Sequence, residues 1–182
     1  RKDSKIITYL PTFRDGSRDP LKGSGIDFEV LDEVLGRLHQ HMYIKLHHER
    51  NTESEGKKLK HISFLPVELG IMMVLRHTDI LLTDYSSVYI EFLVSDRPIL
   101  FFPFDLENYE GKLRDMYFDY AHITPGPKAR TFSELCEEME RVANGTDAFL
   151  QERKRVRDMA IQPHPGKAPE EVYEIIAHIM AQ

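Results

Sequence analysis

The sequence predicts an α/β domain built on a doubly wound parallel sheet, with helices on both faces. Short apolar segments of strand length alternate with segments whose apolar residues recur at helical spacing. The segment 99–102 is apolar throughout, which is typical of a strand buried on both faces of a parallel sheet. Polar residues follow three of the predicted strands: Arg14, His47, and the pair Ser86 and Ser87. In such a sheet these positions converge on one edge, where ligands bind.

Length and composition are those of one globular domain. The chain has 182 residues, of which 41% are hydrophobic and 30% charged. The net charge of −6 disfavours a broad nucleic-acid surface, and the single Cys136 excludes an intrachain disulfide. No apolar run approaches the about 20 residues of a membrane-spanning helix, and no signal peptide is evident. The chain enters its first strand almost at once, which suggests a piece cut from a longer protein.

The predicted strands are short apolar segments bounded by polar or turn residues. They comprise residues 5–10, 42–46, 62–65, 79–82 and 99–102. The first is rich in β-branched and aromatic residues and stops at Pro11. The fourth leads into Thr83-Asp84-Tyr85-Ser86-Ser87, and a segment with helical spacing follows at once.

The predicted helices each carry one apolar stripe. In the first, Ile26, Val30, Val34 and Leu38 recur every four residues. The second begins at Pro66, and we interpret its methionines, Met72 and Met73, as core filling together with Leu69 and Leu75.

Three more helices are predicted in the carboxyl-terminal part. Thr131 and Glu134 form a capping box ahead of the stripe of Leu135, Met139 and Val142. The helix 149–160 carries a basic run, which we interpret as a solvated face, and the last helix covers 170–180.

The serines after the fourth strand are the first candidate ligand site. Ser86 and Ser87 lie where a helix begins, and serine is a favoured N-cap residue. The free N–H groups and the positive dipole end of a helix attract anions, above all phosphate. The alternative is that one of the serines only caps the helix.

Arg14 and His47 are the other two candidates. A guanidinium after a strand can bind a phosphate through two N–H groups, whereas the alternative is a surface arginine paired with Asp15. His47 and His48 follow the second strand, and one of the two could face a cleft. The sequence contains no Asp-x-Asp pair and no metal-ligand spacing around these histidines, so we predict neither a metal nor a cofactor.

Five motifs in order resemble those of the CDP-glycerol glycerophosphotransferase family, the teichoic-acid and capsule polymerases and primases. They are Pro-Thr-Phe-Arg-Asp at 11–15, Thr-Asp-Tyr-Ser-Ser-Val at 83–88, Asp-Arg-Pro-Ile at 96–99 running into Phe-Pro-Phe-Asp-Leu at 102–106, Tyr-Phe-Asp-Tyr at 117–120 and Pro-Gly-Pro at 125–127. The resemblance implies the carboxyl-terminal, Rossmann-like half of a two-domain GT-B fold. Residues 1–182 would then be a single donor-binding domain without the amino-terminal acceptor domain.

The resemblance also implies a reaction and a set of site residues. An acceptor hydroxyl attacks the β-phosphorus of CDP-glycerol, or of a similar CDP-polyol, and CMP is released. Arg14 and His47 match residues at the donor phosphates and are the catalytic candidates. Ser86 and Ser87 match the helix start that receives the pyrophosphate, and Thr83 and Asp84 share that substrate-binding motif.

The remaining implications concern partners and location. The acceptor is expected to be a lipid-linked polymer bound by the missing half, at the cytoplasmic face of a bacterial membrane. The basic run 153–157 could contact that membrane peripherally. The resemblance departs at Pro165 and Glu171, where the family generally has an acidic residue and an arginine. A GT-B glycosyltransferase using a nucleotide sugar, and a non-catalytic nucleotide-binding domain, are the alternative functions.

Overall fold

A computed structural model describes residues 4–14, 20–46, 58–107, 118–161 and 168–180. Within these residues, five strands form one parallel sheet in the order β3-β2-β1-β4-β5. The strands are β1 (Lys5–Leu10), β2 (Gln40–Ile44), β3 (Ile62–Phe64), β4 (Ile80–Thr83) and β5 (Ile99–Phe101). The predicted doubly wound parallel sheet is therefore confirmed.

Helices lie between β1 and β2, between β3 and β4 and between β4 and β5, and others follow β5. They are α1 (Phe28–Arg37), α2 (Ile71–Arg76), α3 (Val88–Phe92), α4 (Tyr120–Ile123), α5 (Phe132–Ala143), α6 (Leu150–Ala160) and α7 (Ala168–Met180). The predicted capping box of α5 is confirmed, because the Thr131 side chain accepts from the Glu134 N–H and the Glu134 carboxylate accepts from the Thr131 N–H. No helix of the described residues is long and apolar enough to cross a membrane.

Strand β1 is the point at which the direction of winding reverses. Its residue Ile7 pairs with Met42 of β2 on one side and with Ile80 of β4 on the other. The chain therefore moves outward from β1 first through β2 and β3, and then through β4 and β5. The carboxyl ends of β1 and β4 flank the crevice in which doubly wound sheets bind ligands.

The core has two layers, one on each face of the sheet. Alternating side chains of β4 separate the layers, since Ile80 and Leu82 belong to one cluster and Leu81 to the other. Helices α1 and α5 cover the first face through residues such as Leu35 and Leu135. Helices α2, α3 and α6 cover the second face. Helices on both faces explain why β4 and β5 are buried along their whole length.

The predicted second helix begins later than expected and buries different residues. Helix α2 starts at Ile71 with Gly70 as its N-cap, so Pro66 lies outside it. Val74 and Leu75 are its buried residues, whereas the side chains of Met72 and Met73 are each 57% exposed. The prediction that the methionines fill the core is wrong, because this short helix turns only one narrow side toward the sheet.

The basic run of α6 is not simply a solvated face. Arg153 is 1% exposed and donates two hydrogen bonds to the Asp147 carboxylate and one to the Asp96 carbonyl oxygen. That interpretation is therefore wrong for Arg153, whose side chain is buried and bound to Asp147 and Asp96. In α7, by contrast, the apolar residues Val172, Ile175, Ile176 and Ile179 are all exposed.

Candidate functional site

The segments that follow β1, β4 and β5 meet at the carboxyl edge of the sheet through Asp84. Its carboxylate is fully buried and accepts from the Thr12 N–H at 2.9 Å, the Thr12 hydroxyl at 2.5 Å and the Tyr85 N–H at 2.6 Å. The Tyr120 hydroxyl donates to the Asp84 carbonyl oxygen at 2.7 Å. Asp84 thus joins the segment after β1 to the segment after β4, at the point where winding reverses.

Arg14 lies inside this junction rather than at its surface. Its Nη2 donates to Asp84 Oδ2 at 2.9 Å, and its Nε donates to Asp105 Oδ2 at 2.7 Å. The guanidinium carbon lies 5.1 Å from the ring centre of Tyr85 and 5.3 Å from that of Phe104. The Arg14 side chain is only 8% exposed. The alternative of a surface arginine is therefore wrong, and Asp15 lies outside the described residues.

The charge of Arg14 is matched by carboxylates of the protein itself. Burial lowers the pKa of the Arg14 guanidinium, but hydrogen bonds to Asp105 and Asp84 and their negative charges raise it above its ordinary value. One positive charge therefore faces two negative ones. The prediction that Arg14 grips a donor phosphate stays a prediction, and this arrangement favours a supporting role.

Tyr85 completes the junction on the side of β5. Its hydroxyl donates to Asp105 Oδ1 at 2.9 Å, and its ring packs 5.6 Å from that of Tyr120. Burial, together with the negative charge of Asp105, raises the pKa of the Tyr85 phenol. The hydroxyl therefore remains a hydrogen-bond donor at neutral pH.

Beside this junction, Ser86 and Ser87 line a pocket of about 480 Å³. Ser87 is the N-cap of α3 but makes no side-chain capping bond, and the Ser86 hydroxyl accepts from the Val88 N–H at a long 3.4 Å. Capping therefore uses little of the hydrogen-bonding capacity of these serines. The two hydroxyl groups and the first turn of α3 lie where a bound group could contact them.

The rest of the pocket combines charged and apolar side chains. Lys45, Glu68 and Glu91 line it, together with Leu69 and Met72. The Lys45 ammonium donates to the Val67 carbonyl oxygen at 2.7 Å and forms no salt bridge within the part of the chain that the structure describes. At the pocket wall, Lys45 is thus a cation that no carboxylate of the described residues pairs with.

The other predicted site residues fall into two groups. Thr83 is fully buried, like Asp84, and its hydroxyl donates to the Leu10 carbonyl oxygen at 2.8 Å. Direct contact of these two side chains with a substrate is not favoured, because internal hydrogen bonds engage both. His47, the catalytic candidate, and Pro165 lie outside the described residues, while Glu171 lies on the exposed first turn of α7.

Sequence reasoning missed Lys45 and Asp105 as site residues. Asp105 follows a predicted strand, as the chosen candidates do, and this position could have pointed to it. Lys45 lies inside the predicted strand 42–46, whereas β2 ends at Ile44 and Lys45 follows it. Among the residues that the structure describes, no group of three or more His, Cys, Asp or Glu could hold a metal ion.

The fold is a doubly wound α/β domain, with a pocket of mixed polar and apolar lining at its switch point. Residues 1–178 match the CDP-glycerol:poly(glycerophosphate) glycerophosphotransferase family, and the chain belongs to that family. The family resemblance read from the five motifs is therefore confirmed.

Two curated relatives are polymerases of teichoic acid. The chain is 33% identical over 150 residues to the teichoic acid poly(glycerol phosphate) polymerase of Bacillus subtilis (strain 168), covering 79% of this chain and 20% of the relative. It is 33% identical over 144 residues to the teichoic acid poly(ribitol-phosphate) polymerase of Bacillus spizizenii, covering 74% of this chain and 22% of the relative. The chain thus spans about a fifth of the length of each relative.

Solved structures share the fold. The wall teichoic acid polymerase TagF superposes with a TM-score of 0.76 at 24% identity, over 98% of this chain and 44% of that one. A variant of TagF soaked with CDPG gives 0.74 at 23% identity, over 100% of this chain and 43% of that one. The calicheamicin glycosyltransferase CalG4 superposes with a TM-score of 0.64 at 12% identity, over 98% of this chain and 45% of that one. The expected kinship with GT-B glycosyltransferase folds is confirmed at the level of the fold.

Proposed function

We propose that this chain is the donor-binding part of a glycerophosphotransferase. The enzyme transfers glycerol phosphate, or a related polyol phosphate, from a CDP-activated donor to a hydroxyl of a cell-wall or capsule polymer. The observation that carries the proposal is the pocket beside Ser86 and Ser87, at the switch point of a chain that belongs to this family. The TagF structure soaked with CDPG supports the same donor chemistry.

The pocket residues suit a donor that has both phosphates and hydroxyl groups. Ser86 and Ser87 donate hydrogen bonds to the pyrophosphate. Lys45 supplies the positive charge, because the Arg14 guanidinium is already paired with the carboxylates of Asp84 and Asp105. Glu68 and Glu91 accept hydrogen bonds from the hydroxyl groups of the CDP-polyol, because carboxylates are strong hydrogen-bond acceptors. The mixture fits a CDP-polyol better than an anion without hydroxyls.

The reaction requires one bond to form and one to break at the β-phosphorus. The acceptor hydroxyl oxygen bonds to that phosphorus, the bond to the bridging oxygen of CMP breaks, and the hydroxyl proton passes to a base. We retain His47 as the residue that donates a proton to, or stabilises, the departing CMP oxygen, because it follows Lys45 and Leu46 of the pocket wall. Positioning and electrostatics carry most of such a reaction.

We further propose that another part of a longer protein binds the acceptor. The matched relatives are several times longer than the matched region, which leaves ample chain for an acceptor domain. A lipid-linked acceptor would place the reaction at the cytoplasmic face of a bacterial membrane. The half-exposed Arg155 and the partly buried Lys154 of α6 could then contact anionic lipid peripherally.

Calorimetric titration of the full-length protein tests the donor. The ligands are CDP-glycerol, CDP-ribitol, CMP and UDP-glucose, each with and without EDTA. We expect the cytidine ligands to bind and UDP-glucose not to bind. Preferential binding of UDP-glucose would contradict the proposal in favour of a nucleotide-sugar glycosyltransferase. Binding of CDP-glycerol without any transfer to polymer would favour a non-catalytic nucleotide-binding protein.

A further inference from the structure

Asp105 contacts two residues of the site, Arg14 and Tyr85, although it is not among the predicted site residues. It lies four residues beyond the end of β5, with its side chain 21% exposed. Its Oδ2 accepts from Arg14 Nε at 2.7 Å, and its Oδ1 accepts from Arg14 Nη2 at 3.0 Å and from the Tyr85 hydroxyl at 2.9 Å. One carboxylate therefore ties the segment after β5 to those after β1 and β4.

The hydrogen bonds that start at Asp105 extend to the peptide unit just before the serines. Arg14, which is bonded to Asp105, also donates a hydrogen bond to the Asp84 carboxylate. The Asp84 carboxylate in turn accepts a hydrogen bond from the Tyr85 N–H. The Tyr120 hydroxyl holds the Asp84 carbonyl oxygen from the other side. Both ends of the peptide unit that joins residues 84 and 85 are thereby fixed, and Ser86 is the next residue.

We propose that Asp105 is a positioning residue of the donor site. This inference rests on the proposed function. Asp105 acts with Tyr85 and Arg14 to hold the β4–α3 turn so that Ser86 and Ser87 can bind the pyrophosphate of the CDP-polyol. Asp105 is not among the residues that line the pocket, and its hydrogen bonds to Arg14 and Tyr85 act on the serines through the turn. Hydroxyl groups held in place before the ligand binds lower the entropy cost of ordering the site on binding.

The proposal predicts that removing the Asp105 charge changes the Kd for CDP-glycerol in the opposite direction to that expected from charge repulsion alone. If Arg14 bound the donor phosphates directly, Asp105 would compete with them, and Asp105→Asn would tighten donor binding. If Asp105 positions the turn, the same change weakens donor binding, although it removes a negative charge near an anionic ligand. The direction of the change in Kd therefore separates the two roles.

The experiment measures Kd for CDP-glycerol in the full-length protein and its Asp105→Asn variant. We expect Kd to rise by about tenfold, the effect of losing one hydrogen bond to a charged group. Asp147→Asn is the matched control, since it also removes a carboxylate from a buried arginine, and Asp147 does not line the pocket. We expect the control to lower the thermal midpoint and to leave Kd unchanged.

Two further variants keep the proposal testable. Tyr85→Phe removes only the hydroxyl, keeps the ring against Arg14, and is expected to raise Kd by about threefold to tenfold even if Asp105→Asn does not fold. If Asp105 acts through the turn, Asp105→Asn and Ser86→Ala are non-additive in the double variant.

Three results would overturn the proposal. The first is an unchanged or lower Kd in both Asp105→Asn and Tyr85→Phe. The second is strict additivity of Asp105→Asn with Ser86→Ala. The third is a wild-type protein that binds no CDP-polyol, which would overturn the proposed function and this inference with it.

Discussion

Removal of the Arg14 guanidinium is expected to destabilise the fold strongly. In Arg14→Met, the carboxylates of Asp84 and Asp105 lose the cation that bonds them at 2.9 and 2.7 Å. Asp84 is fully buried, so water does not replace the lost partner. Breaking a buried ion pair from one side costs about 3–5 kcal/mol, because an uncompensated charge stays in the interior.

Urea unfolding at pH 7, followed by circular dichroism, measures this cost. With a slope of about 2 kcal/mol per molar urea, the midpoint should fall by roughly 2 M. Arg37→Met is the matched control, since its partner is Glu140 and both side chains are largely exposed, at 65% and 43%. The control should lose about 0–1 kcal/mol. A loss below 1 kcal/mol in Arg14→Met would refute the view that Arg14 neutralises a buried carboxylate.

The remaining predictions concern three other positions. Gly126→Ala should lower the free energy of unfolding by about 1–3 kcal/mol, because a Cβ there would lie 2.2 Å from the Ile99 carbonyl oxygen; a urea midpoint equal to that of the wild type would contradict this. Hydrogen bonds from Arg153 lower the pKa of Asp147, so the stability they confer is present above the ordinary value of 3.8 and lost as pH falls through the folded-state value. The free energy of unfolding should therefore fall less between pH 6 and pH 2 in Asp147→Asn than in the wild type. Lys45→Met should weaken CDP-glycerol binding by about tenfold and leave the thermal midpoint nearly unchanged; equal Kd values would remove Lys45 from the donor site.

The sequence by itself determined the features that depend on neighbours along the chain. The bounds of β1 and the capping box of Thr131 and Glu134 follow from side chains within a few residues of one another. The alternation of strands and helices sufficed for the sheet class, because parallel strands require crossover connections. The edge on which Ser86 and Ser87 lie could be inferred for the same reason.

Only the tertiary structure decided which charges meet and which side chains face the core. Arg14 and Asp105 are 91 residues apart, and no local pattern pairs them. Met72 and Met73 have the composition of a core stripe but face outward, because the placement of α2 on the sheet selects Val74 and Leu75 instead. Partner choice and facing depend on how distant segments pack, and a stretch of sequence carries the propensity of its own residues but not the surface against which they will lie.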